Sequence, residues 1–173
     1  MMKITNKPPR FKQEYGTFFL TFCTYERANI LLEPGVPEML IENIRFYGAR
    51  LQNLIAYTIM HDHMHLLVEI AGILTLSAFL RDFKKHTSRE IRRLIETYTR
   101  YVWQRGTVDH WIRPCQSGRD LSNHLTYLFL NSWKHLQIPP RMFPYHNLEE
   151  AIARGYVSAD AFEDENFQEI ARS

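Results

Sequence analysis

Hydrophobic and polar positions change their spacing several times along the chain, and each change predicts a new element. Short runs of apolar, β-branched and aromatic residues between polar or turn-forming residues predict strands. Apolar residues that recur three and four positions apart predict helices. The predicted strands are residues 17–24, 51–60 and 64–70, with a further strand or hairpin within 101–112. The predicted helices are residues 37–50, 74–98 and 119–137.

The order of these elements is strand, helix, strand, strand, helix, strand, which matches the split βαβ arrangement of ferredoxin-like proteins. We therefore predict an α+β fold, with an antiparallel sheet, helices on one face and a further C-terminal helix. The predicted organisation is a flexible basic arm over residues 1–14, one domain over 15–145 and an acidic C-terminal extension over 146–173.

Length and composition favour one domain with one sizeable core, because the chain has 173 residues and 45% of them are hydrophobic. No apolar run approaches the roughly twenty residues that span a bilayer, and residues 1–12 lack the apolar stretch of a secretion signal. We expect a cytoplasmic protein that does not enter a membrane. Cys23 and Cys115 fit neither a disulfide framework nor a CxxC metal site, so we expect two unpaired thiols.

The formal net charge of +2 hides an uneven distribution along the chain. Residues 81–113 contain nine Lys or Arg against four acids, whereas residues 147–173 contain seven acids against two Arg. A basic middle segment suits a phosphate backbone, since each neutralised phosphate releases counterions. Many solvated helices are equally basic, so charge alone leaves nucleic-acid binding open.

A histidine-rich corner joins the second and third predicted strands. It reads His61-Asp62-His63-Met64-His65, and residues two apart in a strand project from the same face. His63 and His65 would therefore point together and could supply part of a metal coordination shell. The alternative is that His61 is a turn residue and that the other two histidines are buried and hydrogen-bonded.

The third predicted helix carries Tyr127 and Asn131 four residues apart, and hence on one face. The same face also carries His124, Lys134 and His135. A tyrosine hydroxyl has an ordinary pKa of about 10, so a tyrosine nucleophile requires deprotonation and an electrophilic phosphorus. A divalent cation that polarises phosphate oxygens would meet the second requirement. A polar stripe of this kind is also typical of the solvated side of a surface helix.

Three segments, in this order and at these spacings, resemble one protein family: YTIMHDHMHLLVEI, WQRGTVDHWIR and YLFLNSWKHLQI. The chain is similar over residues 15–145 to the single-tyrosine HUH transposases of insertion-sequence type, and most similar to the REP-associated tyrosine transposases. The resemblance implies that His63, His65 and Asn131 bind Mg²⁺ or Mn²⁺ and that Tyr127 attacks the scissile phosphate. It also implies a 5′-phosphotyrosine intermediate on single-stranded DNA, at hairpin or REP-like repeats.

The sequence departs from the family pattern at two positions. The family commonly has proline before the polar residue that precedes the first histidine, whereas this chain has His61, a candidate accessory residue. Proline often follows the metal-binding asparagine, but here Ser132 follows Asn131. Candidate DNA contacts are Lys84, Lys85, Arg105, His110 and Arg113. Related transposases work as dimers, with monomeric examples, so a homodimer is one of two alternatives that stay open.

Two other functions remain as alternatives. The first is a non-catalytic or domesticated module on the same fold that recognises DNA repeats, and the intact set of histidines, asparagine and tyrosine argues against it. The second is a metal-dependent hydrolase in which the histidines activate water and Tyr127 is structural. A hydrolase would turn over without forming a covalent protein–DNA adduct.

Overall fold

The fold was obtained as a computed structural model, which describes residues 13–113 and 117–163. Within these residues, four strands and three helices follow one another in the predicted order, and a short fourth helix is added at the end. The strands are β1 Gly16–Cys23, β2 Asn53–Ile59, β3 His63–Ile70 and β4 Val108–Ile112. The helices are α1 Val36–Gly48, α2 Leu76–Leu94, α3 Ser117–Leu136 and α4 Leu148–Ala153.

The strands form one antiparallel sheet in the order β2-β3-β1-β4. The two central strands are β3 and β1, and their register pairs Thr21 with His65 and Phe22 with Met64. Because α1 connects β1 to β2 and α2 connects β3 to β4, the order is the one expected for a split βαβ unit. The predicted ferredoxin-like α+β fold is confirmed.

Alternation along the strands divides the interior into two layers. Phe18, Leu20 and Phe22 of β1 point to the side where α1 and α2 pack, so these two helices share one face as predicted. Phe19 and Leu67 point to the opposite face, where α3 and α4 pack. The third helix therefore does not extend the first layer but covers the other side of the sheet. The central strands are consequently buried on both faces.

Local capping explains where α2 begins. Thr75 accepts a hydrogen bond from the Ala78 amide through its hydroxyl at 3.2 Å, which satisfies one of the free amides of the first turn. Glu14 accepts hydrogen bonds from the amide and the hydroxyl of Ser77, at 2.9 and 2.7 Å. Glu14 is thus part of the packed structure, whereas residues 1–12 of the predicted basic arm lie outside the described residues, as does Cys115.

The segment after residue 145 also packs on the sheet. Asn147 accepts a hydrogen bond from the Tyr57 amide at 2.8 Å, and Leu148, Ala151 and Phe162 belong to the second core cluster. The first part of the predicted acidic extension therefore contributes to the core, and its residues 164–173 lie outside the described residues. In the described part of the chain, no helix has the length and apolar character that a membrane crossing requires.

Candidate active site

The two histidines of the HxH motif lie at the start of β3, on the face that α3 covers. His63 and His65 are 3% and 2% exposed, and their rings are 5.0 Å apart. Met64 between them belongs to the opposite core cluster, as expected from the two-residue period of a strand. Burial of two imidazoles in a protein interior requires partners for their ring nitrogens.

Each histidine has one ring nitrogen held by a neighbouring side chain. Nδ1 of His63 lies 2.6 Å from a carboxylate oxygen of Asp62, whose other oxygen accepts from Nε of Arg27 at 2.8 Å. Nδ1 of His65 lies 2.9 Å from the hydroxyl of Thr21 on β1. A carboxylate or hydroxyl on one ring nitrogen commonly fixes the orientation of a metal-binding histidine. Nε2 is therefore the atom that each histidine presents towards α3.

α3 brings a third donor to these Nε2 atoms. Asn131 is fully buried, and its Oδ1 lies 3.3 Å from Nε2 of His63. The Asn131 amide nitrogen donates to the Tyr127 carbonyl at 2.7 Å, which orients the side-chain oxygen towards the histidines. Nε2 of His65 is buried and has no hydrogen-bond partner within the described residues. Two imidazole nitrogens and one amide oxygen thus converge around an unsatisfied polar atom, and this donor set fits a divalent cation.

Electrostatics keep His65 in the form that a metal ligand requires. Burial lowers the pKa of His65 to about 3, and the neighbouring His63 acts in the same direction. The Asn131 side chain partly opposes this shift, although it forms no hydrogen bond of good geometry with His65. His65 is consequently a neutral imidazole at physiological pH, with a lone pair available on Nε2.

The carboxyl group of Asp62 is ionised in this environment. Burial alone would raise its pKa, but the hydrogen bond from His63 and the charges of His63 and Arg27 together hold the pKa below its ordinary value. His135 lies one helical turn after Asn131, and its ring is 5.0 Å from that of His63. Burial, followed by the proximity of His63, lowers the pKa of His135.

A cavity of about 440 Å³ opens beside this cluster. Its lining residues are Phe19, Thr21, His65, Asn123, His124 and Tyr127. The Tyr127 ring is 5.4 Å from the His65 ring, and the side chain is 43% exposed. The ammonium of Lys134 lies 5.0 Å from the centre of the Tyr127 ring. An accessible tyrosine therefore stands next to the buried polar cluster, beside a positive charge.

The remaining predicted site residues have varied surroundings. Lys84 donates to the backbone carbonyls of Gln104 and Gly106, which fastens α2 to the loop before β4. Burial lowers the pKa of its ammonium. Nε2 of His61 lies 4.0 Å from Asp62, beyond the hydrogen-bond range. Lys85, Arg105 and Arg113 are exposed, and His110 contacts Asp120.

Several neighbours of the site were not singled out by sequence reasoning. Asp62 had a local signal, because it directly precedes His63 in the motif. Thr21 is separated from His65 by 44 positions, and only the register of β1 against β3 brings the two together. Arg27, which pairs with Asp62, lies in a short helical turn, Tyr25–Arg27. No sequence motif at this turn indicates that contact.

Three comparisons with known proteins agree with one another. A sequence model described as "Transposase IS200 like" matches residues 14–109, which is more than half of the chain and includes both histidines. A Haemophilus influenzae protein named as a candidate REP-associated tyrosine transposase is 29% identical over 129 residues, covering 69% of this chain and 72% of the relative. A solved structure of a REP-associated tyrosine transposase bound to a REP hairpin has a TM-score of 0.69 at 22% identity, covering 87% of each chain.

Proposed function

Because the chain belongs to the IS200-like transposase family, we propose that it cuts and rejoins single-stranded DNA with Tyr127 as the nucleophile. His63, His65 and Asn131 would hold a divalent cation, Mg²⁺ or Mn²⁺, beside the scissile phosphate. The proposed substrate is a strand folded into a hairpin at repeats of the REP type, by analogy with the similar transposase that was solved with a REP hairpin.

One observation carries this proposal: the buried Nε2 of His65 has no hydrogen-bond partner within the described residues, yet its ring lies 5.0 Å from that of His63 and interacts with the Asn131 side chain. An unsatisfied buried nitrogen costs about 1–3 kcal/mol, so its retention favours a ligand that is bound there. Tyr127 lies one turn before Asn131 on the same helix face, which brings the nucleophile and the proposed metal ligands together.

The proposed step is a transesterification. The Tyr127 oxygen forms a bond to phosphorus while the bond from phosphorus to the 3′-oxygen breaks, which leaves a 5′-phosphotyrosine and a free 3′-hydroxyl. The tyrosine hydroxyl loses its proton and the leaving oxygen gains one. When bound, the divalent cation supplies positive charge that stabilises the phosphate oxygens in the transition state. Attack of a 3′-hydroxyl on the phosphotyrosine reverses the step, so rejoining requires no nucleotide.

The chain's own residues would prepare this step by orientation. Asp62 and Thr21 hold the Nδ1 atoms of the two histidines, and these contacts would keep both rings oriented for binding a cation through Nε2. The Lys134 ammonium beside the Tyr127 ring would pair with a phosphate of the bound strand. We propose that the exposed side chains of Lys85, Arg105 and Arg113 contact further phosphates. Lys84 and His110 would contribute to DNA binding indirectly, because Lys84 fastens α2 to the loop before β4 and His110 fastens β4 to α3.

The test is incubation of the purified protein with labelled hairpin DNA from the region that flanks its gene, in Mn²⁺, followed by denaturing electrophoresis. We expect a covalent protein–DNA band with the wild-type chain and none with Tyr127→Phe. Tyr101→Phe is the matched control, because Tyr101 is also exposed and lies on the loop before β4, and it should form the adduct normally.

The other outcomes separate the alternatives. Cleavage that persists in Tyr127→Phe without an adduct would refute the tyrosine mechanism and favour a hydrolase that activates water. Hairpin binding without cleavage in the wild-type chain would favour a DNA-binding module. His63→Ala should abolish cleavage while hairpin binding falls much less, since phosphate contacts supply most of the affinity for DNA.

A further inference from the structure

A second group of metal-ligating side chains lies where the first turns of α3 meet β4. It consists of His110 on β4 and of Asp120 and His124 on α3. One ring nitrogen of each histidine and one carboxylate oxygen all lie within 4.8 Å of one another. We propose that these three residues bind a divalent transition-metal ion of the Zn²⁺ class, at a site separate from the histidine pair on β3.

Each of the two imidazoles lies at a distance from the Asp120 carboxylate that suits a bound ion. Nε2 of His110 lies 3.1 Å from one Asp120 oxygen, and Nδ1 of His124 lies 3.1 Å from the other. Ligand atoms about 3.3 Å apart correspond to bonds of about 2.0 Å in tetrahedral geometry. The two imidazole rings stack, with centroids 4.7 Å apart and an interplanar angle of 23°. The His110 side chain is 51% exposed, so the site is open to solvent.

The ligand types select the class of metal. Two imidazoles and one carboxylate form the donor set of many Zn²⁺ sites, with a fourth position left for water, whereas Mg²⁺ favours oxygen ligands. In the metal-free protein, Nδ1 of His124 also lies 2.8 Å from the Asp120 carbonyl, to which it can donate. On metal binding the ring proton moves to Nε2, so that His124 stays neutral and Nδ1 offers its lone pair.

The position of the site suggests what the ion does. His124 lies one helical turn before Tyr127 and lines the same cavity. An ion shared by Asp120, His124 and His110 would fasten the beginning of α3 to the edge strand β4, and so restrict movement of the helix that carries the tyrosine. This consequence rests on the proposed function, whereas binding of the ion does not.

Zinc binding by calorimetry tests the site directly. The full chain, freed of metal with a chelator, is titrated with Zn²⁺ alone and compared with His110→Ala and Asp120→Asn. We expect each variant to bind one Zn²⁺ fewer than the wild-type chain. His86→Ala is the matched control, because it removes another exposed histidine, on α2, and it should bind as many ions as the wild-type chain. Far-ultraviolet circular dichroism checks that the variants are folded.

Zinc stoichiometry and affinity that are the same in both variants as in the wild-type chain would overturn the proposal. Loss of one ion in His86→Ala as well would also overturn it, because the binding would then be a general property of surface histidines. The DNA-cleavage mechanism can fail independently, since no DNA is present in the titration and the histidine pair on β3 is unchanged in all variants.

Discussion

Asp62 is predicted to set the affinity of the proposed catalytic site for its metal without contacting the metal. Its carboxylate holds Nδ1 of His63 at 2.6 Å and is itself paired with Arg27 at 2.8 Å. Asp62→Asn keeps an oxygen acceptor of nearly the same shape but removes the negative charge. The imidazole of His63 then becomes a weaker electron donor, and its orientation is less firmly fixed.

The expected magnitude follows from the role of an orienting carboxylate. Loss of such a partner typically lowers metal affinity by about 10–100-fold, which corresponds to about 1.4–2.7 kcal/mol. The loss of the Arg27 pair should cost about 1–3 kcal/mol of folding free energy, because Arg27 is half exposed whereas Asp62 is largely buried. The Asp62 carbonyl continues to accept from the amide and the hydroxyl of Thr24, both at 2.9 Å. The corner therefore stays in place, and the variant should fold.

The assay is the Mn²⁺ concentration that gives half of the maximal rate of adduct formation, together with direct Mn²⁺ binding measured by the paramagnetic resonance signal of the free ion. Both midpoints should rise in Asp62→Asn, while the rate at saturating Mn²⁺ changes much less. Asp82→Asn is the control, since Asp82 is a partly exposed acid that pairs with Arg81 on α2. The reasoning is refuted if Asp62→Asn requires no more Mn²⁺ than the wild-type chain.

Two further predictions concern the folded state. Trp103→Phe should lower the free energy of unfolding in urea by about 1–3 kcal/mol, because Trp103 is buried and donates to the Thr87 hydroxyl at 3.0 Å. Trp111→Phe, at an exposed position, should cost less, and an equal loss would contradict this account. In chelator, stability should fall as the pH drops below the ordinary histidine value of 6.5 towards about 3, since buried His65 binds its proton only after unfolding. The contribution of His65 to the pH dependence approaches about 1.4 kcal/mol per pH unit. When unfolding in urea is measured across this pH range, the free energy of unfolding of His65→Gln should depend less on pH.

Local pattern was sufficient to predict the first three strands and the first three helices of this fold, but it did not predict α4. Strands β1 and β3 carry large apolar residues on both sides, and such runs are typical of strands that are buried on both faces. The end of α2 was less predictable: helical spacing extends to residue 98, but the helix ends at Leu94. Ile95 and Tyr98 then pack against the first core cluster from a turn, and spacing alone does not distinguish that from another helical turn.

The face on which α3 packs could not be read from its own pattern. Its leucines require an apolar partner, but either side of a four-stranded sheet can offer one. Phe19 and Leu67 determine the face, because they point away from α1 and α2 and must be buried by another helix. Since His65 shares that face with Leu67, the same packing that buries these residues also brings Asn131 to the histidines.

Within the site, residues close in sequence were predictable and residues joined by register were not. The period of a strand relates His63 to His65, and the period of a helix relates Tyr127 to Asn131. The contact of Thr21 with His65 depends on how β1 slides against β3, and a shift of one residue would place Phe22 opposite His65. A shift of one residue would also move every side chain of the strand to the opposite face of the sheet. The hydrophobic pattern that fixes the core therefore also fixes the contact of Thr21 with His65.

The buried histidines also explain why metal binding and stability should be linked in this fold. Packing α3 over β3 removes both imidazoles from water, and Asp62 and Thr21 satisfy only their Nδ1 atoms. Nε2 of His65 remains without a hydrogen bond within the described residues, at a cost of about 1–3 kcal/mol to the metal-free protein. An apolar residue at position 65 would avoid the cost of the unsatisfied nitrogen, but it would also remove the lone pair that faces Asn131. At the proposed metal site, coordination of a cation would remove the penalty, because the nitrogen would gain a partner in the folded chain. Ligands that bind only the folded state stabilise it.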